Sequence, residues 1–187
     1  MDKERISAAP APAGPEADIK QPWAKSIYDA LKAAGVSHMS YVPDAGHAAL
    51  IELFAADPDV ITNVLTTEEE GAAIAAGAWL GGQRSVLLLQ SSGVGNCINM
   101  LSLTTIGRFP LLMLVTMRGE WAEFNPWQVP MSRATEPSLR AIGVQTMRAE
   151  NTDDLAEMVS SAAALAYEAD QQMAVLISQR LLGKKIW

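Results

Sequence analysis

The chain has 187 residues, of which 49% are hydrophobic and 19% charged, enough to bury one full core but short for a complete multidomain enzyme. Its net charge of −7 denies it the basic footprint that nucleic acid or an anionic membrane surface requires, and no run approaches the ~20 apolar residues of a membrane span. A single cysteine, Cys97, cannot form an internal disulfide and reads as a small buried residue; with only two histidines there is no metal cluster.

Residues 1–21 are rich in Ala and Pro without periodicity and read as a flexible leader. Charges and prolines stand there where a signal peptide needs an apolar core, so a cytoplasmic location is expected. Residues 22–187 then make one domain. Trp23, Ile27, Leu31 and Ala34 recur at helical spacing and Gly35 stops the helix. A strand over 36–43 ends at Pro43 and Asp44, and a helix over 45–57 turns Leu50, Ile51 and Phe54 inward. The β-branched segment 60–66 favours a strand. A helix from Glu68 to Leu80, small-sided enough to invite close packing, leads through a GGQR turn to a strand over 85–90 that is apolar on both faces, the mark of a parallel sheet covered by helices.

A turn, SSGVGN, then opens a helix over 97–108, followed by a strand over 110–117 and a long irregular stretch over 118–133. A short helix near 135–143, a strand over 144–149, a helix over 152–170 and a strand over 173–179 complete the chain. About six strands alternating with helices specify an α/β fold, a doubly wound, six-stranded parallel sheet with helices on both faces. Ligands in such folds sit at the carboxyl ends of the strands. Four loops, 42–47, 66–71, 90–96 and 117–131, should therefore converge on one surface.

Three glutamates, Glu68, Glu69 and Glu70, open a helix, where unpaired N–H groups and the helix dipole favour acids. Capping accounts for them, yet helical neighbours diverge by about 100°, so one can be buried while the others stay wet. The segment QSSGVGN is not a dinucleotide fingerprint, since Ile98 stands where G-x-G-x-x-G needs glycine, and no P-loop occurs. Gly93 and Gly95 permit either a tight turn or a close backbone approach to a ligand. His47, beside Asp44, is either a solvated residue at a helix start or a candidate for substrate contact or proton transfer. Arg118 and Arg133 flank a long, aromatic, proline-stiffened stretch of the functional kind; they are surface arginines or the local cations that would meet an anionic substrate.

The order strand, acid, Ala/Gly-rich helix with Gly77 nine residues after Glu68, strand, then SSGVGN resembles the pyrimidine-binding (PYR) domain of thiamine-diphosphate-dependent 2-oxo acid decarboxylases. The segments EEEGAAIAAGAWLGG and QSSGVGN are similar in wording to those acting on sulfopyruvate and phosphonopyruvate, and MRGE…NP.Q.PM.RAT is similar to the sulfopyruvate enzymes. The resemblance spans roughly residues 22–183. It implies that Glu68 is catalytic and meets the aminopyrimidine ring, with Gln90, Ser92, Gly93 and Asn96 around the cofactor. Asp44, His47, Arg118 and Arg133 would border the substrate, His47 departing from the family wording. No Gly-Asp-Gly segment occurs. The resemblance therefore implies a beta subunit carrying the diphosphate-binding (PP) domain, which would hold Mg2+, with thiamine diphosphate shared between subunits and a small anionic 2-oxo acid as substrate. A thiamine-diphosphate enzyme acting on phosphonopyruvate or another 2-oxo acid and a noncatalytic α/β binding or regulatory subunit are the competing readings.

Overall fold

A computed structural model describes residues 21–183. Its strands are β1 (Val36–Tyr41), β2 (Ile61–Val64), β3 (Arg84–Gln90), β4 (Leu111–Thr116), β5 (Gln145–Ala149) and β6 (Gln172–Ile177). They form one six-stranded sheet in the order β2-β1-β3-β4-β6-β5, and every neighbouring pair is parallel. The helices are α1 (Ala24–Ala33), α2 (Ala48–Ala55), α3 (Glu68–Leu80), α4 (Ser91–Cys97), α5 (Leu101–Gly107), α6 (Gln128–Ala141), α7 (Leu155–Glu168) and α8 (Gln179–Leu182). The doubly wound α/β expectation is met.

β3, β4 and β6 are buried along almost their whole length, as central strands covered on both faces must be. Two apolar layers result. On one face α1, α2 and α7 pack Ile27, Leu31, Phe54, Val159 and Ala163 against Met39, Val86, Leu112 and Val175. On the other, α3, α4, α5 and α6 pack Ala72, Val94, Leu101 and Leu139 against Leu87, Leu89, Met113 and Leu176. α3 approaches β3 most closely at Gly71, where a Cβ would stand 2.4 Å from Leu87 Cδ1. Gly77, by contrast, faces open space, so the close packing of this helix is made at the sheet end.

Local expectations give way in two places. SSGVGN is not a turn: those residues form α4 itself, and the helix expected over 97–108 starts only at Leu101 after a break. The irregular stretch ends at Trp127, and the expected short helix is the fourteen-residue α6. Pro130 lies in its first turn, where no N–H is missed, while Pro137 inside it forfeits one ladder bond. The leader expected over 1–21 lies outside the described residues except for Gln21. That side chain is buried, donating from Nε2 to the carbonyls of Gly46 (2.8 Å) and Ala45 (3.2 Å).

Candidate functional site

Because all strands run in one direction, the segments after β1, β2 and β3 meet at one end of the sheet. They enclose a cleft of about 160 Å³ lined by Val42, Pro43, Asp44, Glu68, Gln90 and Ser92. This is well below the roughly 300 Å³ of a site that encloses a whole small molecule. It is room for one ring. The fourth expected segment does not line the cleft. It packs behind α4, with the Arg118 N–H donating to Ser91 Oγ at 3.0 Å, and α6 follows it there, with Thr135 Oγ1 donating to the Ser91 carbonyl at 3.3 Å.

The three adjacent acids separate by function. Glu70 reaches back to accept from the Thr66 N–H at 3.0 Å, tying down the residue before the N-cap Thr67. The Thr67 side chain and the helix backbone hold the Glu69 carboxyl below its usual range. Glu68 is the one that points into the cleft. Its Oε2 accepts from Asn96 Nδ2 at 2.8 Å, and its carboxyl end lies over Gly93. The glycine is thus matched to a side chain of this chain. Likewise Gly95 faces Met131 Sδ.

Opposite Glu68, Asp44 accepts from Thr116 Oγ1 at 2.6 Å through Oδ2 and from Gln90 Nε2 at 3.1 Å through Oδ1. Ser92 Oγ donates to Gln90 Oε1 at 2.8 Å. The Gln90 amide is thereby fixed in orientation, its NH2 toward the carboxylate and its oxygen toward the hydroxyl. Gly46 makes the latch possible, since a Cβ there would come 2.8 Å from Thr116 Cγ2 and 2.9 Å from Asp44 Oδ2.

Three expected substrate residues, His47, Arg118 and Arg133, do not line the cleft. His47 is fully buried beneath the cleft, with Nε2 3.1 Å from the Leu114 carbonyl, to which the neutral ring donates. Burial pushes its pKa down. Buried against the Leu114 carbonyl of β4, the imidazole is a core contact that supports the loop rather than a group facing substrate. Arg118 is likewise occupied: its Nε and Nη2 meet Glu123 Oε2 and Oε1 at 2.7 and 2.8 Å, with both side chains largely buried. Arg133 is exposed on α6 and has no ion pair among the described residues. Among the described residues no cation lines the cleft.

Glu123, which the sequence reading passed over, organises the long segment. It accepts from Arg118, the Gly119 and Asn125 N–H groups and Gln179 Nε2. Gln179 Oε1 in turn accepts from the N–H groups of Glu120 and Trp121. Gly119, at φ +84, lets the chain fold back to where a Cβ would lie 2.5 Å from the Gln128 carbonyl oxygen. The sequence signal was an acid between Arg118 and the Asn-Pro of 125–126, interpretable only with Gln179 in place. Cys97 is buried; desolvation, with the Glu68 and Glu69 charges, pushes its thiol up to about 12, so it remains an inert core group.

The donor set fits the pyrimidine end of thiamine diphosphate. Val42 and Pro43 offer apolar surface to a flat ring, Glu68 a carboxylate to a ring nitrogen, and Gln90 and Ser92 polar atoms to an exocyclic amine. It does not fit the diphosphate end, which needs cations. Among the described residues no group of three or more His, Cys, Asp or Glu is placed to hold a metal ion, and no helix is long and apolar enough to cross a membrane.

Residues 23–126 match the family model of the thiamine pyrophosphate enzyme N-terminal TPP binding domain. The chain is 32% identical over 160 residues to sulfopyruvate decarboxylase subunit alpha of Methanothermobacter thermautotrophicus, covering 85% of this chain and 97% of that protein. It is 32% identical over 152 residues to the subunit of the same name from Methanocaldococcus jannaschii, covering 81% and 90%. Phosphonopyruvate decarboxylase of Streptomyces viridochromogenes is 34% identical over 135 residues, covering 71% of this chain and 34% of that protein. Among solved structures, 2-oxoglutarate:ferredoxin oxidoreductase from Magnetococcus marinus superposes with a TM-score of 0.71 at 15% identity, over 86% of this chain and 29% of that one. That likeness carries the fold alone.

Proposed function

The chain belongs to the N-terminal TPP-binding domain family of thiamine pyrophosphate enzymes, and from that membership we propose that it is the PYR subunit of a two-subunit decarboxylase converting sulfopyruvate to sulfoacetaldehyde and CO2. The subunit alpha names of relatives that match nearly end to end support the substrate and the need for a partner. The partner is a beta subunit with the diphosphate-binding domain, which holds Mg2+, and the assembly works in the cytoplasm. The observation that carries the reading is the Glu68 carboxylate, presented by the first residue of α3 into a ring-sized cleft with Gln90 and Ser92 opposite.

When bound, thiamine diphosphate would supply the nucleophilic carbon and the electron sink that decarboxylation of a 2-oxo acid needs. This chain's residues manage protons and position. Glu68 holds a proton at the pyrimidine ring nitrogen, and with a partner closed over the cleft it does so away from water. Gln90, fixed by Asp44, and Ser92 orient the exocyclic amine and the substrate. His47 supports the Asp44 turn from below. Arg133, exposed on α6, is a cation that can meet an anionic substrate, while Arg118 must leave Glu123 to serve.

The test is to isolate the chain with its partner and assay sulfopyruvate with thiamine diphosphate and magnesium. Aldehyde and CO2 formation that requires both subunits and the cofactor is expected. Glu68→Gln should keep assembly and lose about 10²-fold or more in kcat; near-normal turnover would remove Glu68 from the chemistry. A complex that prefers phosphonopyruvate would move the substrate, in line with the relatives that act on it.

A further inference from the structure

α4 grips the Glu68 side chain at two points one helical turn apart. At Gly93 a Cβ would stand 2.3 Å from Glu68 Oε1, 2.5 Å from Cδ and 2.6 Å from Cγ. The carboxyl group therefore lies in a notch that any side chain would fill. Three residues on, on the same helix face, Asn96 Nδ2 donates to Oε2 at 2.8 Å. Among the described residues no other hydrogen-bond donor meets Glu68, and no cation or second acid is recorded against it. Asn96 itself is exposed and does not line the cleft.

We propose that Gly93 and Asn96 are positioning residues for Glu68 rather than ligands of the cofactor, and that together they assign the two carboxyl oxygens different tasks. An oxygen that accepts an amide N–H has that lone pair occupied, so the proton of a protonated carboxyl resides on the other oxygen. Asn96 thereby keeps Oε2 as the acceptor and leaves Oε1 to carry the mobile proton. The notch over Gly93 fixes where Oε1 sits. A hydrogen bond to a charged group is the kind whose loss is felt most. This proposal rests on the assignment of Glu68 as the partner of the pyrimidine ring.

The experiment uses the complex of this chain with its partner, thiamine diphosphate and magnesium, with Asn96→Ala, Asn96→Asp, Gly93→Ala and Glu68→Gln. Four quantities are read: kcat, KM, the cofactor dissociation constant by tryptophan fluorescence titration, and deuterium exchange of the bound cofactor's C2 hydrogen without substrate. Asn96→Ala is expected to slow both kcat and C2 exchange by about 10- to 100-fold, with the cofactor dissociation constant and melting temperature almost unmoved. Asn96→Asp, of the same shape with no N–H to give, should be at least as slow. Gly93→Ala should behave likewise. If Asn96→Ala weakens cofactor binding as much as it lowers kcat, Asn96 is a direct ligand and the proposal is overturned. It is also overturned if Asn96→Asp or Asn96→Ala exchanges at the wild-type rate while Glu68→Gln does not, an outcome that leaves the proposed function standing. Wild-type exchange in Glu68→Gln would sink the underlying reading instead.

Discussion

Glu68, Glu69 and Glu70 are adjacent in sequence yet answer to different partners: Asn96 across a helix, Thr67 at the cap, and the Thr66 N–H behind it. Glu70→Gln should therefore cost no more than about 0.5–1 kcal/mol, through the cap and dipole, and leave most turnover in place; an effect on kcat equal to that of Glu68→Gln would mean the two acids are not so divided. Glu123 is the residue whose removal should be felt in stability. Its carboxyl is held down at about 2 from an ordinary 4.5, mainly by the Arg118 guanidinium. Such a depressed group contributes stability that is fully present above pH 4.5 and is lost as pH falls from there toward 2. Glu123→Gln should lower unfolding free energy at neutral pH by about 3 kcal/mol and flatten that acid limb in urea titrations. What was legible at this scale was the acidic helix start at Glu68, Glu69 and Glu70; the choice of Glu68 among them came from the family resemblance, through its spacing to Gly77. Thr116, which holds Asp44 from 72 residues away, and Gln179, which holds Glu123 from 56 residues away, have no local signal.

Secondary elements were readable where period and composition agreed. α3 spans the expected residues, and the apolar run of β3 correctly announced a strand covered on both faces. α4 was missed because two glycines, two serines and an asparagine in six residues carry turn propensity, which tertiary packing overrides. Val94 and Cys97 are fully buried there, and Ser91 is tied to Arg118 and Thr135. α6 was shortened in the reading by its prolines. The interface of α3 with β3 yields a prediction of its own. Gly71→Ala places a methyl group against Leu87 Cδ1 and Leu65 Cδ1, so overpacking should cost about 1–3 kcal/mol. It should also lift the start of α3, lowering turnover beyond what the stability loss explains; unchanged thermal unfolding would show that Leu87 yields freely.

At the scale of the molecule, the cleft carries two acids and, among the described residues, no cation, so on the proposed reading it is half of a site for an anionic cofactor. The isolated chain should show no thermal shift with thiamine diphosphate and magnesium. The complex with its partner should gain about 2.7 kcal/mol at a hundredfold excess over the dissociation constant. A comparable shift in the isolated chain would mean that it binds the cofactor unaided. The parallel sheet was legible as a whole because runs such as LLMLVT are apolar on both faces; its strand order was not, because nothing local distinguishes which buried strands are neighbours.

That order bears on how the chain comes into being. β6 inserts between β4 and β5, although β5 is synthesised before it. Until residues 172–177 leave the ribosome, one backbone edge of the apolar β4 waits without its partner, and β5 has no strand to join. A bare, flat, hydrophobic strand edge is a template for other chains. The nascent protein should therefore be most open to aggregation while α7 is being made, before the last strand arrives.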